Sequence, residues 1–260
     1  MRAIVLSAGQ GKRLLPLTVS EPKCLLPVDG GRCVLEVQLR SIARCGIERA
    51  TIMVGFGADR VEHFLATHRI PGLVVDTIYN PLYATTDNLI TCWLARQAMT
   101  EDFLLLNGDT LFEEAVLRAV LDAPSSPVRV TVNHKGDYDA DDMKVTLDAD
   151  GRLTAIGKDL PLDAVDAESI GMLLFRGSGV TSWRAALARA VRNPDALRRW
   201  YLSVVNELSE RIPVATTSIT GLWWQEVDSP EDLEAARAGF RELREEAKEP
   251  VPVLARARSL

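Results

Sequence analysis

Ala3-Ile4-Val5-Leu6-Ser7-Ala8-Gly9-Gln10-Gly11-Lys12-Arg13-Leu14, followed by Glu21-Pro22-Lys23, is the stretch that decides the fold. Four apolar residues in a row near the start suit the central strand of a parallel sheet, covered on both faces. Gly9 and Gly11 then let the backbone approach a ligand closely and turn N–H groups toward an anion. Positive charge gathers at the same place. Up to Lys23 the chain holds Arg2, Lys12, Arg13 and Lys23 against Glu21 alone, whereas the whole chain carries a net charge of -6.

Two common glycine motifs are absent. The dinucleotide fingerprint needs a third glycine where this chain has Leu14, and the P-loop needs Gly-Lys-Ser/Thr after a longer spacer. The order L-x-A-G-x-G-x-R-L, then P-L-T, then P-K-x-L-L-P-V is present instead, as Leu6 to Leu14, Pro16-Leu17-Thr18 and Pro22 to Val28. On these residues the chain resembles the nucleotidylyltransferases that join a nucleoside triphosphate to a phosphorylated acceptor. The resemblance implies a Rossmann-like α/β nucleotidyltransferase fold, glycosyltransferase-A-like, with a mixed, mostly parallel central sheet and helices on both faces. It implies that Leu6, Ala8, Gly9, Gly11, Lys12 and Arg13 contact the nucleotide, although the family varies at Lys12. Arg13 and Lys23 carry the catalytic charge in that reading.

Composition narrows the alternatives. At 260 residues and 47% hydrophobic content the chain can fill one large core, read as a single domain over 1–249. Its modest acidity argues against a nucleic-acid partner, which would call for a basic face. Cys24, Cys33, Cys45 and Cys92 lack C-x-x-C spacing, and His63, His68 and His134 form no H-E-x-x-H, so a zinc site is not expected. There is no charged-then-apolar leader and no apolar stretch near membrane-spanning length. A cytoplasmic protein with reduced thiols follows as the expectation.

Beyond the loop, strands and helices alternate. Val34 to Cys45 has helical periodicity and stops at Gly46. Ala50 to Gly55 reads as a strand, Asp59 to His68 as a helix, Leu73 to Ile78 as a strand and Asp87 to Met99 as a helix. Phe103 to Asn107 is another buried strand, ending at Gly108-Asp109-Thr110. Alternation of this kind predicts a largely parallel sheet, with ligands beyond the strand carboxyl ends. Short strands follow at Val128 to Asn133, Met143 to Leu147, Leu153 to Ile156 and Ser169 to Phe175, within an acceptor-side lobe over about 128–222. Helices are expected at Thr181 to Asn193, Leu197 to Arg211 and Pro230 to Glu249, with a strand near Thr216 to Ile219. Residues 250–260 read as a loose basic tail, or one packed on a neighbouring subunit of a homo-oligomer.

Nucleotidylyl transfer sets its own chemical demands. An acceptor phosphate is already ionised near neutral pH, so alignment and charge neutralisation carry the reaction and no general base is needed. Mg²⁺ suits the task, because it binds through one or two carboxylates and keeps its other positions for phosphate and water. Asp109 is the first candidate ligand; on position alone it is equally a turn residue or the cap of a helix starting near Leu111. Its place in Gly108-Asp109 after the N-terminal signature resembles the family's metal-binding aspartate, which also implies contact with the nucleotide. Asp228, in Val227-Asp228-Ser229-Pro230-Glu231-Asp232-Leu233, matches the family's second metal aspartate and could otherwise cap the last helix. Lysines after two strands reach the acceptor phosphate in the family. Lys144 and Lys158 hold those places, and Glu168 is placed on the acceptor side with them.

The run Tyr79-Asn80-Pro81-Leu82-Tyr83-Ala84-Thr85-Thr86-Asp87-Asn88-Leu89-Ile90-Thr91-Cys92-Trp93-Leu94-Ala95 discriminates among nucleotides. It resembles the N-P-x-Y-x-x-x-N-N-x-x-S-L-W-L-A segment of cytidylyltransferases acting on phosphocholine, inositol phosphate or small phosphonates. Asn88 is kept and implied to contact the base, while Asp87 and Thr91-Cys92 depart from the pattern. CTP and a small phosphorylated or phosphonate acceptor are therefore the expected partners. A sugar-1-phosphate nucleotidylyltransferase and a non-catalytic nucleotide-sensing module are the alternatives. Trp200, Tyr201, Trp223 and Trp224 could wall a quaternary ammonium, with core packing favoured. Asp137, Asp139, Asp141 and Asp142 read as a solvated loop ahead of an amine-binding one.

Overall fold

Ala3, Ile4 and Val5 are fully buried and alternate between two cores. Ile4 lies with Leu89, Phe103 and Trp183 on one side of the sheet, while Ala3 and Val5 lie with Leu35, Val61 and Val116 on the other. The apolar run is thus covered on both faces, as a period of two with no polar face requires.

The computed structural model describes residues 1–246. Its first half holds β1 (Arg2–Leu6), β2 (Pro27–Asp29), β3 (Arg32–Cys33), α1 (Val34–Arg44), β4 (Arg49–Val54), α2 (Ala58–Thr67), β5 (Val74–Tyr79), α3 (Asn88–Ala95), β6 (Phe103–Asn107), β7 (Thr110–Phe112) and α4 (Glu114–Asp122). The second half holds β8 (Val128–Asn133), β9 (Lys144–Leu147), β10 (Leu153–Gly157), β11 (Ala167–Phe175), α5 (Ser178–Ala190), α6 (Tyr201–Ser209), β12 (Val214–Ser218), β13 (Trp224–Glu226) and α7 (Pro230–Glu246). The expected tail at 250–260 and the last residues of the expected final helix lie outside the described residues.

The main sheet runs β10-β9-β11-β6-β1-β4-β5, with β8 and β12 added beside β11. Its strands β6, β1, β4 and β5 are parallel, and the strands contributed after Pro127 join largely antiparallel. Helices lie on both faces, giving a Rossmann-like α/β fold. No helix among the described residues is long and apolar enough to cross a membrane.

Three local features place the site. Leu6 pairs with Asn107 in parallel register, so the loops after β1 and β6 emerge side by side. A Cβ on Gly108 would lie 2.2 Å from the Ser7 hydroxyl and 2.6 Å from the Leu6 carbonyl, so only glycine allows this approach. The segment after Asp109 is a short strand and not the helix that a capping role would need. That strand, β7, pairs with β13, matching Thr110 to Glu226, and the Val227 N–H donates to the Asp109 carbonyl at 3.1 Å. A small third core joins Leu14, Val28, Leu111 and Val227 to Leu233, Ala236 and Phe240 of α7. Burying side chains of this size contributes roughly 1.5–3 kcal/mol each, so α7 fixes both loops against the sheet.

The expected helix from Leu197 to Arg211 is broken. Arg199 is extended, and the segment before α6 is held by contacts from α3. The Asp87 and Leu89 N–H groups donate to the Leu197 and Arg199 carbonyls, and the Asn88 side chain accepts from the Tyr201 N–H at 2.9 Å. Each helix start therefore satisfies the other's unpaired groups.

Candidate active site

The loops after β1, β6 and β13 enclose a cleft with two adjoining compartments, of about 360 and 450 Å³. Arg13, Asn88, Asn107, Trp200, Glu226 and Asp228 line both, so the two spaces are one cleft. Leu6, Gly9, Gly11, Lys12, Lys23 and Asp109 line the smaller one. A Cβ on Gly9 would meet nothing within 4 Å, which leaves that stretch of backbone open to a ligand. Lys158 and Glu168 line the larger one.

Asp109, Glu226 and Asp228 each direct a carboxylate oxygen into a cluster within 4.8 Å. The Lys23 ammonium sits among them, 2.7 Å from Asp109 Oδ2 and 2.6 Å from Asp228 Oδ1. Arg13 donates to the other oxygen of Asp228. Burial alone would lower the Lys23 pKa, but the two aspartates outweigh it and hold the ammonium above its ordinary value. Burial pushes Glu226 up to about 8, and the neighbouring Asp109 and Asp228 charges add to the shift. Two carboxylates discouraging the ionisation of a third are common where a cation binds.

The cluster fits a divalent cation by a direct test. Oδ1 of Asp109 is buried and has no hydrogen-bond partner, an expensive state for a carboxylate oxygen unless something binds it. An all-oxygen donor set suits a hard cation such as magnesium or manganese. Cys24 also lines the smaller compartment, yet burial pushes its thiol up to about 12, so it is no nucleophile.

Glu226 is the member of the cluster that the sequence reading passed over. In Glu226-Val227-Asp228 the two carboxylates stand two apart on extended backbone while Val227, fully buried, turns into the core. That alternation is the signal that could have found it. Asn107 was also missed. It accepts from the Tyr201 hydroxyl at 3.0 Å, and Gly171, at φ 71°, leaves room for its side chain.

Two expected residues stand apart from the cleft. Ala8 is buried, with its carbonyl accepting the Phe56 N–H, and lines neither compartment. Lys144 is 2% exposed, and its ammonium donates to the Lys158 carbonyl at 2.8 Å. Lys144 is the cross-strand partner of Glu168, and its covered ammonium is spent on the Lys158 carbonyl, so Lys144 braces Lys158. Thr91 is likewise internal, accepting from Asn80 at 2.9 Å.

Of the four aromatic candidates, Tyr201 is fully buried and Trp223 packs on Phe240, whereas Trp200 and Trp224 face the larger compartment. The Lys158 ammonium lies 4.4 Å from the Trp200 ring centroid. Asp139, Asp141 and Asp142 line this compartment as well, so the acidic loop belongs to the cleft. Asp141 bridges Arg13 and Lys158 at 3.3 and 3.2 Å, while Lys135 joins Asp142 and Glu168 at 2.7 and 2.9 Å. Burial raises the Glu168 carboxyl despite Lys135.

A cationic glycine loop thus faces a carboxylate cluster across parallel strand ends. The chain belongs to the MobA-like NTP transferase domain family, which matches residues 3–211. One relative is the CMP-5'-(3-aminopropyl)phosphonate synthase of Streptomyces rubellomurinus, 30% identical over 277 residues, covering 95% of this chain and 40% of that protein. Another is the bifunctional IPC transferase and DIPP synthase of Aquifex aeolicus, 26% identical over 236 residues, covering 90% of this chain and 50% of that protein. The chain therefore spans half or less of these two relatives. The inositol-1-phosphate CTP transferase structure from T. maritima has the same fold, with a TM-score of 0.76 at 22% identity, covering 93% of this chain and 96% of that one.

Proposed function

We propose that this chain is a Mg²⁺-dependent cytidylyltransferase that transfers CMP from CTP to a small phosphorylated alcohol or phosphonate, releasing pyrophosphate. The observation that carries the reading is the cleft itself: Lys23, Arg13 and three carboxylates in one compartment open directly onto a second that holds Lys158, Glu168 and Trp200. One relative makes a CMP-aminopropylphosphonate and another is an IPC transferase, which favours CTP and this acceptor class.

In this reading the smaller compartment takes the triphosphate. The Gly9 to Gly11 backbone, Arg13 and Lys23 bind its phosphates, and Asn88 faces the nucleotide from α3. Asp109, Glu226 and Asp228 would hold Mg²⁺, which when bound neutralises charge on the α-phosphate and the departing pyrophosphate. The larger compartment takes the acceptor within the lobe at 128–222, with Lys158 directed at its phosphate or phosphonate. One acceptor oxygen attacks the α-phosphorus, forming an O–P bond. The bond from the α-phosphorus to the bridging oxygen breaks, and both electrons leave with pyrophosphate. No proton need move, because the attacking oxygen is already ionised.

Lys135, Asp142 and Glu168 add fixed charge of both signs to the acceptor side. A phosphonate or phosphate ester bearing an amine matches that distribution. Pyrophosphate release from the four common triphosphates, measured across phosphorylated, phosphonate and sugar-1-phosphate acceptors, tests the proposal. Release should require CTP and a small non-sugar acceptor; release only with another triphosphate and a sugar 1-phosphate overturns it.

A further inference from the structure

Lys23 makes two ion pairs with the same two aspartates that a metal in this cluster would use. We propose that Lys23 is a built-in competitor for the metal, holding Asp109 and Asp228 until a triphosphate draws its ammonium away. The metal then enters with the triphosphate and not ahead of it. This rests on reading the carboxylate cluster as the metal site, and it is independent of which base or acceptor is used.

Competition follows from the geometry. The ammonium is within hydrogen-bond distance of one oxygen on each aspartate. A divalent cation shared by the same carboxylates would stand against it with no water between them, where like charges are poorly screened. Asp109 keeps one oxygen free, but both oxygens of Asp228 are held, Oδ1 by Lys23 and Oδ2 by Arg13, so Lys23 gives up Asp228 when the cation arrives, and its freedom to move is small. Its residue is only 9% exposed, and its stem packs against Gly11, where an added Cβ would lie 3.0 Å from Lys23 Cδ.

A displaced ammonium in so buried a place needs another anion. Leaving it unpaired is strongly unfavourable. Asp228 is also held by Arg13, so the aspartates are already matched by two fixed cations. A divalent cation alone would add two positive charges, of which ionisation of Glu226 offsets one. A triphosphate brings both the missing negative charge and a new partner for Lys23, which makes the two ligands bind cooperatively.

The test uses Mn²⁺ as the probe, its free concentration followed by electron paramagnetic resonance, with the intact chain and no acceptor. Wild-type protein should bind Mn²⁺ weakly, and Lys23→Met should bind it at least about tenfold more tightly, a gain that Asp109→Asn in the same protein abolishes. Equal affinity in wild type and Lys23→Met overturns the proposal, as does a gain that survives Asp109→Asn. A second measurement needs no variant. The lysine-ammonium ¹H–¹⁵N signal of Lys23 in wild-type protein should persist in millimolar Mg²⁺ and shift when inorganic triphosphate is added with it. A shift of equal size with Mg²⁺ alone contradicts the proposal.

Discussion

The ammonium of Lys23 stands 2.6 Å from the carboxylate of Asp228, across 205 positions of sequence. One comes from the loop after the first strand and the other from the turn into the last helix. Their meeting depends on β13 pairing with β7 and on α7 packing over Leu14 and Val28. The cationic and carboxylate halves of the cleft are thus assembled by the tertiary fold.

Asp109→Asn keeps the shape of the side chain and removes its charge from the cluster. Turnover should fall by about a hundredfold or more while the thermal midpoint stays near that of wild type. Steady-state kinetics with a melting curve on the same preparation checks this, and an active variant removes Asp109 from the metal site.

Arg13 is half exposed and pairs with Asp228 and Asp141. Surface pairs of this kind add little stability, so Arg13→Ala should fold normally. Its loss should lower kcat/KM for the triphosphate by about ten- to a hundredfold. Unchanged kinetics would make the cationic loop purely structural.

Glu226 gives a pH dependence with a definite sign. Its carboxyl is raised from 4.5 to about 8, so the folded metal-free protein keeps a proton that the unfolded chain has released. Where the native state binds more protons, stability falls as pH rises, here from about 4.5 toward 8. Thermal unfolding in chelator across this range should show the decline, and Glu226→Gln should flatten it.

Lys144→Met should spare nucleotide binding and weaken the acceptor side, because the Lys158 carbonyl loses its donor. One such hydrogen bond is worth about 1 kcal/mol, which corresponds to a rise of about fivefold in acceptor KM. If the acceptor KM is unmoved, Lys144 does not position Lys158.

Gly108→Ala tests the close approach of the two loops. The new methyl would overlap the Ser7 hydroxyl and the Leu6 carbonyl, both fixed by β1. Overpacking of this kind costs about 1–3 kcal/mol, visible as a lowered midpoint in denaturant.

How much of this was readable in sequence depends on how local the cause is. Strand β1, the glycine loop and the β/α alternation are written in short-range periodicity and turn residues, and the structure has them where they were expected. Asp109 and Asp228 were picked out through the resemblance, each in a short local pattern, and the structure brings them into one carboxylate cluster. Glu226 was not picked out, although the alternation around Val227 marked it. The break before α6 had no local signal at all, since it comes from hydrogen bonds with α3, far away in sequence. The burial of Lys144 had no local signal either, since it comes from the pairing of β9 with β10 and β11 and from the Lys158 carbonyl.

Cytidylyl transfer to a small phosphorylated or phosphonate acceptor leaves a distinct phosphorus signature. ³¹P NMR of the protein with CTP, Mg²⁺ and 3-aminopropylphosphonate, phosphocholine or inositol 1-phosphate in parallel observes it directly. With at least one acceptor the CTP resonances should be lost, and a free pyrophosphate signal and a coupled pair from a new P–O–P linkage should appear. A product formed only from UTP, dTTP or GTP with a sugar 1-phosphate would contradict this.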